Sequence, residues 1–402
     1  TTRLVGSEMC IRDRDEAMQM DKIGLISTNL AEKIAMTVTE SPYRVTAETI
    51  SNTCGQSISS GGVWNMMQRL GERLDEEEQY AVKEMHADRT QGEKIIPVLF
   101  EEMDGIWLHM QDSSHKRMKK QEMKVFTMYE GWDKEQQRRS TLVGKTMLAG
   151  METSRLFHEK REALIEKKYD VDEIQQRILN GDGGSWIKET YDPDAIFQLD
   201  RYHVYQEILR KINDRSAQRE ARNLFEEGKT EELLEFLLVY ADSVETTDEK
   251  DNRSRNAREL YRYLNNNKVG LLPYQKQGKK IPEPGEGIVY KNMGVQESQN
   301  CTVITMRMKH RRMRWSIKGA SNMAKVLCCK ENKELCRTIE KYTDGLIFNA
   351  RMNEIMETLS AAKTSKKDGK GNRYVELMRG HVPLIDVAAT ASRKAFRNAF
   401  IR

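Results

Sequence analysis

The chain has 402 residues, room for two or three domains and a sizeable hydrophobic core. Charged residues make up 32% and hydrophobic ones 38%, with a formal net charge of +4, so bulk charge alone demands no nucleic-acid partner. The longest apolar runs, 95–100 and 233–240, fall far short of the ~20 residues of a membrane-spanning helix, and with no signal-peptide pattern a cytoplasmic protein is expected.

Residues 1–40 form the first expected unit, a helical segment that is amphipathic from 15 onward; the stretch 6–14 resembles an adapter-derived remnant and is set aside. The second unit, 41–90, carries Val45, Ala47 and Ile50 on a short helix that Cys54-Gly55 ends. Ile58 plugs the turn, and Ser59 or Ser60 caps a second helix with Val63, Trp64, Met67 and Leu70 at helical spacing. That is the layout of a helix-turn-helix, whose second helix puts its first residues, here Ser59, Ser60, Asn65 and Arg69, at base edges of the major groove. An ordinary helical hairpin has the same pattern. The acid-rich stretch 72–84 reads as a solvated helical linker.

A composition shift at Lys94 opens the third unit, 94–335. Residues 95–100 predict a strand, 106–111 a second with Asp104-Gly105 at the hairpin between them, and 124–131 a third. A helix is expected over 141–168, then a short apolar strand ending at Asp182 and a strand at 195–199. Gly181, Gly183 and Gly184 flank Asp182 and let a metal or phosphate approach without meeting a Cβ. Residues 204–285 read as a helical insertion with Leu209, Ile212, Leu224, Leu233, Leu237, Leu260 and Leu264 as its core. From Ser298 to Lys330 there is no acid and there are eight Lys or Arg, among them Arg307, Lys309, Arg311, Arg312, Arg314 and Lys318. Trp315 within this run is a core side chain or a base-stacking one. The last unit, 336–402, is a basic carboxyl-terminal region. The six cysteines lack paired two-residue spacing and read as free thiols of a reducing compartment.

The order of elements from 94 to 200 matches an α/β, RNase H-like arrangement: a mixed five-stranded sheet with a helical insertion, behind an all-α helix-turn-helix domain. In that arrangement Asp104, Asp182 and Glu297 would converge at one edge of the sheet. Hard cations such as Mg²⁺ take one or two carboxylates plus water and substrate phosphate. Two of them about 3.5–4 Å apart activate an attacking oxygen and stabilise a leaving one. With 62 acidic residues in the chain, spacing alone leaves the choice of three open.

Residues 41–330 resemble a DDE transposase of bacterial insertion sequences, of the ISLre type and distantly Mutator-like. The resemblance rests on Gly55-Gln-Ser-Ile-Ser with Gly62-Val-Trp-Asn65, Glu102-Met-Asp-Gly with Leu108-His-Met-Gln111, and Asn180-Gly-Asp-Gly-Gly-Ser-Trp-Ile187. It extends through Leu199-Asp-Arg-Tyr-His203, Gly294-Val-Gln-Glu297 and the run from Arg307 to Ala324. Where the family pattern has a proline before the tryptophan, this chain has Arg314. The resemblance implies that Asp104, Asp182 and Glu297 bind two Mg²⁺ or Mn²⁺ ions and that His203 of the Asp200-x-x-His203 motif contacts the scissile phosphate or orients a carboxylate; a structural histidine at a strand–helix junction is the alternative. It further implies cleavage of double-stranded DNA at the element's ends, transfer into target DNA, a homo-oligomer and association with the nucleoid. Other readings are a non-catalytic sequence-specific DNA-binding protein, and a nuclease without strand transfer.

Overall fold

The computed structural model describes residues 28–55, 57–135, 141–189, 192–246, 251–310 and 313–342. The adapter-like start, Arg311, Arg312 and everything from 343 onward lie outside them. The chain forms a mixed α/β structure with a five-stranded mixed sheet.

It begins with α1 (Thr28–Glu40), α2 (Tyr43–Cys54) and α3 (Ser60–His86). Gly55 ends α2 at φ 65°, and the Ser59 hydroxyl accepts the Gly62 N–H at 3.0 Å to cap α3, a contact worth about 1 kcal/mol. Val63, Met67 and Leu70 are buried as the spacing predicts, but Trp64 is 45% exposed. It sits one residue, about 100° around the helix, off their stripe. The stretch 72–84 is no linker: it is the second half of α3, and Asp75 and Glu78 on it face buried ammonium groups.

The sheet contains β1 (Val98–Leu108), β2 (Gln121–Tyr129), β5 (Thr146–Gly150), β6 (Gln176–Gly181) and β7 (Ile196–Leu199), in the order β5-β2-β1-β6-β7. Pairs β5–β2 and β2–β1 are antiparallel; β1–β6 and β6–β7 are parallel. A small second sheet, β4-β3-β8, joins β3 (Gly131–Asp133), β4 (Leu142–Val143) and β8 (Ile288–Val289). The strands at Asp182 and at 196–199 match expectation, and two others do not. No hairpin occurs at Asp104-Gly105: β1 runs straight through, with Asp104 opposite Val125 and Gly105 opposite Lys124 on β2. The third antiparallel strand is instead Thr146–Gly150, inside the expected helix, and α4 begins only at Ser154 and ends at Lys168.

One face of β1 presents Leu99 and Met103 to Phe157 and Ile165 of α4. The other reads Val98, Phe100, Glu102, Asp104, Ile106, Leu108, an acidic pair between two apolar pairs. Val98 and Phe100 pack with Tyr129, Trp132 and Tyr274. Ile106 and Leu108 join a cluster that includes Ile34, Ile50, Val63 and Leu70 of the first three helices. The 41–90 segment and the sheet therefore share a core.

After β6 come α5 (Ser185–Lys188), then α6 (Arg201–Lys211), α7 (Arg215–Glu227), α8 (Thr230–Ser243) and α9 (Arg253–Asn266), the expected helical insertion. Ile212, Leu224, Leu233, Leu237, Leu260 and Leu264 fill its core, whereas Leu209 is exposed. The helical run α10 comprises Gln296–Gln299, a π-wound turn Asn300–Thr305 and Met306–Met308; α11 (Ile317–Glu331) and α12 (Leu335–Tyr342) follow. Among the described residues no helix is long and apolar enough to cross a membrane.

Candidate active site at the strand ends

The sheet register brings the acids together. Met103 of β1 pairs with Gly181 of β6, and Gly181 pairs with Leu199 of β7. The next residue on each strand is an aspartate: Asp104, Asp182 and Asp200 stand in one row, with strands about 4.8 Å apart. The row lies where β6 and β7 end, the usual ligand-facing end of parallel strands. Gly183 turns the chain at φ +85°, and a Cβ there would meet Asn267 at 2.5 Å. Tyr263 of α9 donates to the Asp182 carbonyl at 2.8 Å, so the helical insertion braces this turn.

Asp200 caps α6 and accepts from His203 Nδ1 at 2.8 Å, which turns Nε2 to 3.8 Å from the Asp104 carboxylate. Asp104 also accepts from Asn300 Nδ2 at 2.6 Å and from the Gly105 N–H at 2.7 Å. Asn300 starts the π-wound turn three residues after Glu297, a helix irregularity often found at functional sites.

The start of α10 is held from below by Glu102, which is fully buried. Its carboxylate accepts the N–H groups of Gly294, Val295 and Gln296 at 3.1, 3.2 and 3.1 Å. Tyr129 and Asn180 donate to it as well, at 2.6 and 3.1 Å. Five donors thus converge on the residue that fixes the backbone just before Glu297. Sequence reasoning missed Glu102, Asn180, Asn300 and Tyr263 as site residues. For Glu102 the signal was present: two residues before Asp104 on a strand is the same face.

The electrostatics show a local excess of negative charge. The Asp104 carboxyl is pushed up to about 6, raised by burial first and by the charges of Asp182 and Glu297, against the downward pull of His203 and the Gly105 N–H. Burial disfavours the His203 imidazolium, but the Asp200 hydrogen bond and the charges of Asp104, Asp200 and Asp182 outweigh it and raise the group to about 9. Asp182, Glu297 and His203 are thus all felt at Asp104. The three carboxylates Asp104, Asp182 and Glu297 do not close to within 4.8 Å of one another, so they do not form a single-ion cage. In a two-ion site, where ions are about 3.5–4 Å apart and each ligand about 2.1 Å from its ion, oxygens on different ions can lie roughly 8 Å apart. An all-oxygen donor set with surplus negative charge suits hard divalent cations.

Among the described residues the set of three acids that does close within 4.8 Å is elsewhere: Asp75, Glu78 and Glu152. Its space is taken. Lys160 Nζ lies 2.6, 2.8 and 2.6 Å from Asp75, Glu78 and Glu152, and Lys325 Nζ lies 3.2, 2.5 and 2.6 Å from the same three. Both lysine side chains are 1% exposed. A cation would have to expel two buried ammonium groups, so this cluster ties α3 to α4 and α11 instead of holding metal.

The residues expected at DNA divide into two groups. Ser59, Ser60, Asn65 and Arg69 lie exposed at the start of α3, and Lys309 and Arg314 are exposed. Arg307 is not: it is 5% exposed, donates to the Val38 carbonyl at 2.6 Å and lies over the Tyr43 and Trp315 rings. Trp315 is buried and donates to the Met308 carbonyl at 2.8 Å, the core role. Lys318 is exposed but pairs with Glu72 at 2.6 Å.

The chain belongs to the family described as an uncharacterised protein family, UPF0236, whose model matches residues 13–343. Two UPF0236 proteins of Caldanaerobacter subterraneus subsp. tengcongensis are each 22% identical over 372 residues, covering 89% of this chain and 71% of theirs. The name of the first joins eleven locus labels, and that of the second joins four.

Proposed function

We propose that this protein is a DDE-type transposase of a bacterial insertion sequence, with an RNase H-like catalytic sheet and a helix-turn-helix formed by α2 and α3. The observation that carries the reading is the register that sets Asp104 and Asp182 side by side, with Glu297 near enough to shift the Asp104 carboxyl. Further support comes from the strand order, three antiparallel strands followed by two parallel ones. The exposed start of α3, with Ser59, Ser60, Asn65 and Arg69, suits entry into a major groove. Relatives whose single names span eleven and four loci fit a gene that copies itself within a genome.

Asp104, Asp182 and Glu297 would hold two Mg²⁺ or Mn²⁺ ions, which supply activation of the attacking oxygen and stabilisation of the leaving one. Water would attack the phosphorus at the element's end, breaking its bond to the 3′-oxygen and freeing a 3′-hydroxyl. That hydroxyl would then attack a target phosphodiester in the same in-line geometry and displace the target's 3′-oxygen. His203, held at Nδ1 by Asp200, can donate from Nε2 to a phosphate oxygen beside Asp104. Asn300 and Glu102 keep Asp104 and the start of α10 in place. The reaction needs two DNA ends held at once, which a homo-oligomer would provide.

The test supplies terminal-repeat DNA and Mg²⁺ to the wild type and to Asp182→Asn. Cleavage and joining by the wild type alone supports the reading. Binding without cleavage would assign a regulator, and cleavage without joining a nuclease.

A further inference from the structure

The backbone continues past β1 into a narrow three-segment strip. Trp315 N–H donates to the His109 carbonyl at 3.0 Å, and Gln111 N–H donates to the Trp315 carbonyl at 2.9 Å. On the opposite edge Met118 N–H donates to the Met110 carbonyl at 3.0 Å, and Gln111 bridges Arg117. Two basic stretches far apart in sequence, 109–120 and the one that Arg314 and Trp315 belong to, therefore meet in one strip. Met110 and Trp315 point together into the core. Their neighbours His109, Arg314 and Arg117 point the other way, on the face that also shows Trp107, which is 52% exposed. Segments about 4.8 Å apart put these groups within roughly one Debye length of each other at physiological salt.

Cations gather along this strip. Arg117, Lys119, Lys120, Lys309 and Arg314 are exposed, and among the described residues none makes an ion pair. Some exposed cations elsewhere are matched, as in Arg155–Glu159, Arg210–Glu207 and Arg258–Asp242, while others, such as Arg69, Arg215 and Arg219, are not, so what distinguishes the strip is that its cations lie together. The acids in reach are Asp112, whose carboxylate accepts the Ser114 and Lys116 N–H groups, and Glu122, across from Trp107. Besides burial, the positive charges of Lys120, Arg117, Arg314 and Lys309 hold the His109 imidazole below its usual range, so all four fields meet at one point.

We propose that this strip is a second DNA-binding surface, which grips the phosphate backbone of a duplex without reading its sequence. It lies on the face of β1 opposite Asp104, about 17 Å along the strand from it. It therefore holds DNA outside the reacting site. Arg117, Lys120, Lys309 and Arg314, whose charges meet at His109, with the exposed Trp107 on the same strand face, suit phosphates with a sugar or base edge between them. Because the strip is built from backbone pairing, its spacing is fixed before DNA arrives. The identity of the polyanion as DNA rests on the function proposed above.

The experiment measures affinity for a fluorescent 30-base-pair duplex of arbitrary sequence against salt concentration. The variant carries Arg117→Gln, Lys120→Gln and Arg314→Gln; a control removes the same charge through Arg155→Gln, Arg210→Gln and Arg258→Gln. Each lost phosphate contact flattens the slope of log affinity against log salt by about 0.9, so the variant should lose about 2.7 and the control nothing. Equal slopes in variant, control and wild type would overturn the strip's role, while wild-type cleavage would leave the transposase reading standing. A wild type that binds through the strip yet never cleaves does the reverse. Absence of duplex binding at low salt overturns both.

Discussion

The molecule has two acidic clusters, and they are built on opposite principles. Asp75, Glu78 and Glu152 are closely spaced and look like a cage for a cation, yet Lys160 and Lys325 fill it. Asp104, Asp182, Asp200 and Glu297 are more widely spread, and His203 is the cation set among them. The first is close to neutral and joins α3, α4 and α11. The second retains surplus negative charge at the open end of the strands. On the proposed reading, distance between carboxylates is a poorer guide to a metal site than the charge left over once local partners are counted.

The largest expected effect falls on the second cluster. Asp182→Asn or Asp104→Asn should lower DNA cleavage by about 10²–10³-fold or more, the scale of losing one transition-state electrostatic partner, with the melting temperature held or raised. A rise fits because each change removes a repelling charge from a crowded row. Cleavage assays with thermal melts check both halves.

Next is Lys325→Met. It leaves three half-buried carboxylates with one ammonium partner in place of two, which should destabilise the fold by about 3 kcal/mol in urea denaturation. Burial raises the carboxyls of Asp75 and Glu152, but Lys160 and Lys325 outweigh it and hold both below their usual range. A depressed folded pKa contributes stability above the unfolded value of about 4, and that stability is lost as pH falls through the folded value. Denaturation of the wild type at pH 7 and pH 3 should therefore show a steeper acid loss than the variant shows.

Glu102→Gln comes third. It puts an amide N–H₂ where the five donors need an acceptor, and it frees the turn before Glu297. Loss of such an outer partner typically costs 10–100-fold in metal affinity, so half-maximal cleavage should need about 10–100-fold more Mg²⁺. Hydrogen exchange at 294–300 should rise in parallel. The smallest effect is Ser59→Ala, about 1 kcal/mol from the lost cap, read by the same denaturation.

Much of this architecture was legible in the sequence where local chemistry decides it. Gly55 and Ser59 marked the turn between α2 and α3, and short apolar runs ending in aspartate marked β6 and β7. Asp104-Gly105 misled, because Asp-Gly favours a turn in isolation but here pairs on through β2. Thr146–Gly150 has good helix formers in Met147, Leu148 and Ala149, and pairing with β2 overrode them. Arg307 looked like a phosphate ligand until its guanidinium proved to be spent on Val38, Tyr43 and Trp315. The partners that complete the site, Glu102 with Gln296 and Asp104 with Asn300, join residues nearly two hundred positions apart, which no local pattern reports.

The most direct measurement is Mn²⁺ binding, followed by electron paramagnetic resonance, in the wild type, Asp182→Asn and Glu152→Gln. The charge-surplus account predicts binding by the wild type and by Glu152→Gln, and its loss in Asp182→Asn. Binding that survives in Asp182→Asn and disappears in Glu152→Gln would contradict it and move the metal site to the lysine-filled cluster.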